Sequence, residues 1–314
     1  MKSGSRSVLV VGAGIIGLAS AWRLARAGHA VTVLDPAPGR GATFAAAGMI
    51  AASAEIVPGE EDNYRLNLGA LDGWRRVSAE LMAVTGQGVD LHETGTLFVG
   101  WDAGDRATVR QFAAVAAEFG ASCEWRARAE DPSAFAALSD RVTDGLMMRG
   151  DAWLDPDQAV SALRAGLDDA GVTFVPAEVR EVAGDERTVV ARTATDEFSA
   201  DAGLIATGWA PLPVGAHASG DFSVRPVHGA TVRVTGLDRG DAPMVRALVR
   251  GRPFYLVSRA GGYCVLGASS EERASAELEV GELYRVLRDA LDLVPELEGA
   301  AVVESRVGLR PASA

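Results

Sequence analysis

A five-residue β-rich run, SVLVV at positions 7–11, passes without a break into Gly12-Ala13-Gly14-Ile15-Ile16-Gly17. A helical pattern follows over 18–27, with Leu18, Ala21, Trp22, Leu24 and Ala25 near one face, and Gly28 ends it. Residues 30–34 (AVTVL) read as a second strand, closed by Asp35. Strand, glycine turn, helix and strand in this order make a β-α-β unit that cradles a dinucleotide. Gly12 allows the tight turn, Gly14 lets backbone approach a pyrophosphate, and Gly17 lets the helix pack against the strands. The backbone from Gly12 through Ala13, Ile15 and Ile16 then offers free N–H groups and the positive end of a helix dipole to phosphate. A carboxylate at Asp35 accepts hydrogen bonds from ribose hydroxyls and repels a 2′-phosphate. NADP is therefore disfavoured, and NAD or FAD remain.

At 314 residues the chain exceeds what one core usually covers, so one large or two interleaved domains are expected. A net charge of −12 repels phosphate backbones and anionic lipid, which argues against nucleic-acid and membrane partners. No apolar stretch is long enough to span a bilayer. The first residues, MKSGSRSVLVVGAGIIGLASA, imitate a secretory signal, but the glycines are spaced for the cradle and the following residues continue the helix into a strand. A soluble, cytoplasmic protein is expected. Cys123 and Cys264 lack metal-ligand spacing and read as two buried thiols in a reducing compartment. His29, His92, His217 and His228 form no metal motif, so no metal site is expected.

After Asp35 comes PAPGRGATFAAAGMIAA, a run of small residues suited to backbone packed against something large and flat, or to an Ala-rich helix contact. With the first unit, this segment resembles the FAD-dependent D-amino-acid oxidase superfamily, and within it the glycine oxidase group associated with thiamine biosynthesis. The resemblance implies that Thr43, Ala46, Ala47, Gly48 and Met49 run beside the flavin. It implies that the backbone at Val179, in EVREV, meets the adenine, and that Thr207 and Gly208, in GLIATGWA, form a turn close to the FAD. VRPVHGA (224–230) resembles the entry to the substrate domain. Tyr255, in PFYLVSRAGGYCVLGASSE, corresponds to a pocket tyrosine, and Arg310, in VGLRP, to the arginine that binds the substrate carboxylate. Met49 would narrow the pocket.

The fold class expected is α/β, of the α+β two-domain kind: a Rossmann-like FAD-binding domain interleaved with an antiparallel-sheet substrate domain. The divisions are 1–84, 146–222 and 306–314 for the first, 85–145 and 223–305 for the second. Helices are expected over 63–84, 106–119, 156–170 and 280–293. Strands are expected over 89–91, 96–99, 172–176, 178–182, 188–192, 203–206, 230–234, 245–249, 253–257 and 262–266, and a sharp turn at 308–311. The family continues past this point with a return strand, a turn beside the flavin and a final helix. Residues 306–314 therefore read as the start of a third FAD-domain segment whose remainder is missing.

In such an enzyme the flavin is the reactive group and no catalytic acid or base is needed. The substrate is a small amino acid or secondary amine. Its α-hydrogen leaves as hydride, and oxygen is the final acceptor. The products are an oxo acid (glyoxylate from glycine), ammonia and hydrogen peroxide, with the imine intermediate available for thiazole formation. A dehydrogenase with a non-oxygen acceptor and an inactive remnant are the alternatives. Residues 306–314 hold no cysteine, so the FAD is expected to be non-covalent. His228 is not expected to be a base, nor Trp209 a substrate wall. The resemblance leaves room for a homo-oligomer.

Overall fold

The computed structural model describes residues 4–210, 224–267 and 269–313. The apolar run at the start becomes the strand Ser7–Val11, central in a four-stranded parallel sheet ordered Ala202–Ile205, Ser7–Val11, Ala30–Leu34, Thr173–Val175. Its side chains alternate between two different cores. Val8 and Val10 pack with Leu18, Trp22, Leu163 and Leu167 of the helices Ile15–Arg26 and Pro156–Asp169. Leu9 and Val11 pack with Val182 and Ala191 of a three-stranded antiparallel sheet (Glu181–Gly184, Val189–Arg192, Glu197–Ala200). Both faces are covered, which is why this strand reads as continuously apolar. The two helices approach closely because residue 166 is glycine: a Cβ there would lie 2.4 Å from Leu81 Cδ2 and 2.9 Å from the Trp22 ring.

The second unit is an eight-stranded mixed sheet. Its order is Ala301–Ser313, Val224–Thr235, Tyr263–Gly267, Arg252–Arg259, Met244–Val249, Thr96–Gly100, Asp144–Met148, Cys123–Ala127. One junction, Met244–Val249 with Thr96–Gly100, is parallel and the rest are antiparallel. The amphipathic helix Val280–Leu293 packs Val286, Ala290 and Leu293 on one face, against Val232, Val234, Leu256 and Leu266. The other face turns Val257, Val265 and Met244 toward Ala47 and Trp153.

Several expectations need correction. The first helix starts at Ile15, not at 18. The helix expected over 63–84 is two, Glu61–Leu68 and Ala70–Thr85, divided at Gly69. Residues 89–91 form no strand, because side chains take their backbone groups: Ser78 Oγ bonds both N and O of Val89 at 2.8 Å, and Gln158 accepts from Asp90 N. The strand expected over 178–182 begins only at Glu181.

The largest correction is at 308–311. Gly308-Leu309-Arg310-Pro311 is not a turn but part of the thirteen-residue edge strand Ala301–Ser313, laid along Val224–Thr235. Pro311 stands opposite Pro226, and an edge position tolerates the missing N–H. Gly308 serves close approach instead of turning: a Cβ there would lie 2.8 Å from Ala45 Cβ in the short helix Ala42–Ala45. Residues 306–313 therefore extend the large sheet. The expected boundary at 222/223 lies outside the described residues.

Candidate flavin and substrate site

The cradle is built where the parallel strands end. Gly12 N–H donates to Leu34 O at 2.9 Å and Ala206 N–H to Val11 O at 2.7 Å. Gly12 has φ +101°, and a Cβ on it would fall 2.4 Å from Ala206 O; one on Gly17 would fall 1.9 Å from Gly12 O. These two glycines are required by the protein itself. Gly14 is different. A Cβ there would meet only Thr43 Oγ1, at 3.4 Å. Gly14 itself offers the helix no side-chain cap, and Thr43 Oγ1 accepts from Ile15 N at 3.0 Å, so the Ile15 N–H is not free, contrary to expectation. The space above Gly14 is open, beside a helix N-terminus suited to an anion. Ile16 is left 69% exposed beside it.

Asp35 accepts from Ala13 N at 2.6 Å through Oδ2 and from Ala37 N at 2.7 Å through Oδ1. Its first task is to hold the turn, and each oxygen keeps lone-pair capacity for a hydroxyl. Thr207 and Gly208 form a turn next to Gly12, with Thr207 Oγ1 donating to Ala210 O and Gly208 at φ +66°. Val179 packs on the Leu9, Val11 and Leu34 cluster. None of these residues lines the cavity described next, and neither does Trp209.

Residues 44–48 are held by their carbonyl oxygens. Arg306 donates to Phe44 O at 3.0 Å, Thr231 to Ala45 O at 3.1 Å, Arg233 to Phe44 O and Ala46 O at 3.3 and 3.4 Å, and Arg259 to Ala47 O at 3.2 Å. Leu154 N–H takes Gly48 O at 3.0 Å. Arg233 is 1% exposed, and burial, with Arg306 nearby, pushes its guanidinium below the usual arginine range. Gly48 (φ +85°) fits only as glycine, since a Cβ would lie 1.9 Å from Leu154 O. Sequence reasoning missed Arg233, Arg259 and Arg306; the available signal was a basic residue within otherwise apolar strands.

A cavity of about 510 Å³ joins this segment to the large sheet. Ile15, Thr43, Ala46, Ala47, Gly48 and Met49 form one wall, and Tyr255 and Arg310 stand in the other. Arg310 Nη2 donates to Ser269 O at 3.0 Å, and among the described residues no carboxylate lies within ion-pair distance of it. Burial pushes the Tyr255 hydroxyl up to about 12, against the opposing pull of Arg310 and Arg233, so it stays a donor at neutral pH. Arg246, also unforeseen, lines the cavity and pairs with Glu55 at 2.8 Å and with Ala54 O. Its signal was one arginine in the apolar strand MVRALV. His228 is fully buried away from the cavity. Cys264 is buried, Cys123 is only half-buried, and neither lines the cavity.

Two predictions arise here. The Tyr255 ring lies across Gly267, where a Cβ would fall 2.2 Å from Cζ. Gly267→Ala is expected to push the ring from its place and raise KM about tenfold while flavin is retained, checked by steady-state kinetics and flavin content. Behind the cavity, burial raises the Asp151 carboxyl from 3.8 to about 6. The folded protein thus holds this proton more tightly than the unfolded chain. Stability falls as pH rises from about 4 to 6, by up to about 3 kcal/mol. Asp151→Asn keeps an acceptor for Ser53 N–H and is expected to abolish that loss, measured as unfolding midpoints at pH 4 and pH 7.

The profile of the family described as "FAD dependent oxidoreductase" matches residues 7–314. The chain belongs to that family. It is 31% identical over 316 residues to the "Putative thiamine biosynthesis oxidoreductase ThiO" of Rhizobium etli, covering 97% of this chain and 84% of that protein. It is 28% identical over 319 residues to the glycine oxidase of Geobacillus kaustophilus, covering 97% and 81%. The crystal structure of glycine oxidase from that organism matches with a TM-score of 0.88 at 26% identity, over 99% of this chain and 84% of that one. The protein is thus an FAD-dependent, amino-acid-oxidase-like oxidoreductase of the glycine oxidase type. The open space at Gly14 beside the helix N-terminus, and the 46–48 backbone along the cavity, fit that cofactor. Among the described residues no helix is long and apolar enough to cross a membrane.

Proposed function

We propose that this oxidoreductase deaminates glycine or another small amino acid or secondary amine, with oxygen as acceptor. Glycine, oxygen and water give glyoxylate, ammonia and hydrogen peroxide. The observation that carries the reading is Arg310: a guanidinium without a carboxylate partner among the described residues, in one cavity with the Tyr255 hydroxyl. A guanidinium holds a carboxylate bidentately, and Tyr255 donates a further hydrogen bond to it. Met49 and the 46–48 backbone bound the opposite side, so the α-carbon is confined between anchor and wall. Bound FAD supplies the hydride acceptor. Its pyrophosphate would lie over Gly14 and beside Ile16, in the turn that Gly12, Ala13, Ile15 and Gly17 shape; Asp35 would face its ribose, Val179 its adenine, and Thr43, Thr207 and Gly208 would flank it. Non-covalent attachment is supported by the position of both cysteines away from the cavity.

The likeness to glycine oxidase and to the thiamine-biosynthesis oxidoreductase supports imine supply for thiazole formation as the cellular role, and we place the protein in the cytoplasm. We also propose the interleaved division at 1–84, 85–145, 146–222 and 223–305, with 306–313 now grouped with the large sheet. The test is the visible spectrum before and after anaerobic glycine. Bleaching of the flavin band, and peroxide once air is admitted, is expected. A band unchanged by glycine sinks glycine as substrate, and dye reduction without peroxide assigns a dehydrogenase.

A further inference from the structure

Arg310 does not reach its place alone. Its side chain leaves the edge strand and passes over Gly229 in the neighbouring strand, where a Cβ would lie 2.9 Å from Nη2 and 3.2 Å from Ser269 O. The guanidinium then ends on that Ser269 carbonyl. Ser269 is in turn fixed from behind. Its Oγ donates to Glu282 Oε1 and accepts from Ala230 N at 2.9 Å.

Glu282 and His228 are both wholly buried. His228 Nε2 lies 2.8 and 3.0 Å from the two Glu282 oxygens, and Nδ1 lies 2.7 Å from Ser275 O. Nδ1 thus faces one carbonyl and Nε2 the Glu282 carboxylate. Arg273 Nη2 sits 3.0 Å from Nε2 but donates to Glu282 Oε2 at 2.9 Å and to Glu277 O at 3.1 Å. Arg273 also pairs with Glu271 and Glu279, each at 3.2 Å. The backbone of His228 exchanges two hydrogen bonds with Glu271, two residues beyond Ser269. Polar groups this deeply buried are costly unless paired and hydrogen-bonded, and removing one partner strands the other. What they fix here is the short segment whose carbonyl holds Arg310.

We propose that Glu282 and His228, acting through Ser269, are positioning residues that set the Arg310 guanidinium for a substrate carboxylate. This rests on the reading of Arg310 as the carboxylate anchor. The network touches neither the cavity's apolar wall nor the nucleotide cradle. Its loss therefore weakens carboxylate binding and leaves flavin content alone.

The experiment titrates the FAD-loaded protein with acetate, a carboxylate without an amine, by calorimetry, alongside KM for glycine. Ser269→Ala and Glu282→Gln are expected to weaken acetate binding and raise KM roughly tenfold. Ser269→Thr, which keeps the hydroxyl, is expected to bind acetate like the parent. Flavin content of Ser269→Ala should stay at the parental value, while its unfolding midpoint falls because Glu282 Oε1 and Ala230 N–H lose their partner. If Ser269→Ala and Glu282→Gln bind acetate like the parent while Arg310→Gln loses it, the positioning role is overturned and the anchor reading stands. If Arg310→Gln also binds like the parent, both readings fall. Should Glu282→Gln fail to fold, the Ser269→Ala and Ser269→Thr pair decides alone.

Discussion

Arg310→Gln is expected to lower kcat/KM for glycine by about two to three orders of magnitude. A bidentate guanidinium–carboxylate contact is two charge-assisted hydrogen bonds, roughly 3–4 kcal/mol of transition-state binding when the substrate is held for transfer. Gln can donate to one oxygen but carries no charge. The residue lies exposed on an edge strand with one carbonyl partner, so the fold should lose less than about 0.5 kcal/mol. Arg310→Lys should recover part of the rate, because it restores the charge but not the fork. The measurement is peroxide release at varied glycine, with unfolding midpoints for each variant. An Arg310→Gln activity within a few-fold of the parent would mean that the substrate is held elsewhere, with Arg246 the first place to look.

Gly14→Val is expected to weaken FAD binding by at least two orders of magnitude, roughly 3 kcal/mol, and to yield a colourless protein. The reason is specific to this glycine. Its φ of −70° suits any residue, and the protein leaves the space beside it open. A Val side chain would occupy the volume that the pyrophosphate needs, while the helix behind it still forms. The unfolding midpoint of the flavin-free protein should therefore move by only a few degrees. Gly17→Val is the contrasting control: its Cβ collides with Gly12 O, so this variant should lose fold and flavin together. Retention of a full flavin band by Gly14→Val would remove the cradle from the cofactor site.

The elements that could be read from the chain are those whose signal is local. The strand at 7–11, the strand at 30–34 and the helix Val280–Leu293 emerge with the expected limits. Their apolar periodicity or capping glycines lie within the element itself. The edge strand Ala301–Ser313 could not be read this way, since Gly308-Leu309-Arg310-Pro311 carries turn residues and only pairing to Val224–Thr235 draws it straight. Cys123–Ala127 (CEWRA) is equally dependent on its neighbour Asp144–Met148. At the site, Thr43, Ala46–Met49, Tyr255 and Arg310 line one cavity. The arginines that support them did not announce themselves. Arg233, Arg259 and Arg306 find their partners across strands far apart in sequence, and no window along the chain contains both ends of those contacts.

The grip of those arginines on residues 44–47 has a mechanical consequence. The backbone that bounds one side of the reaction space hangs from the same sheet that carries Tyr255 and Arg310. Floor and clamp are therefore one rigid frame, although the chain enters that floor directly from the nucleotide unit. Two of these arginines also reach the nucleotide unit, Arg259 pairing with Asp155 at 2.5 Å and Arg306 with Asp157 at 2.8 Å, so the frame is stapled to the start of the helix Pro156–Asp169 as well. Movement between the parallel sheet and the large sheet must therefore break these ion pairs before it can shift the floor.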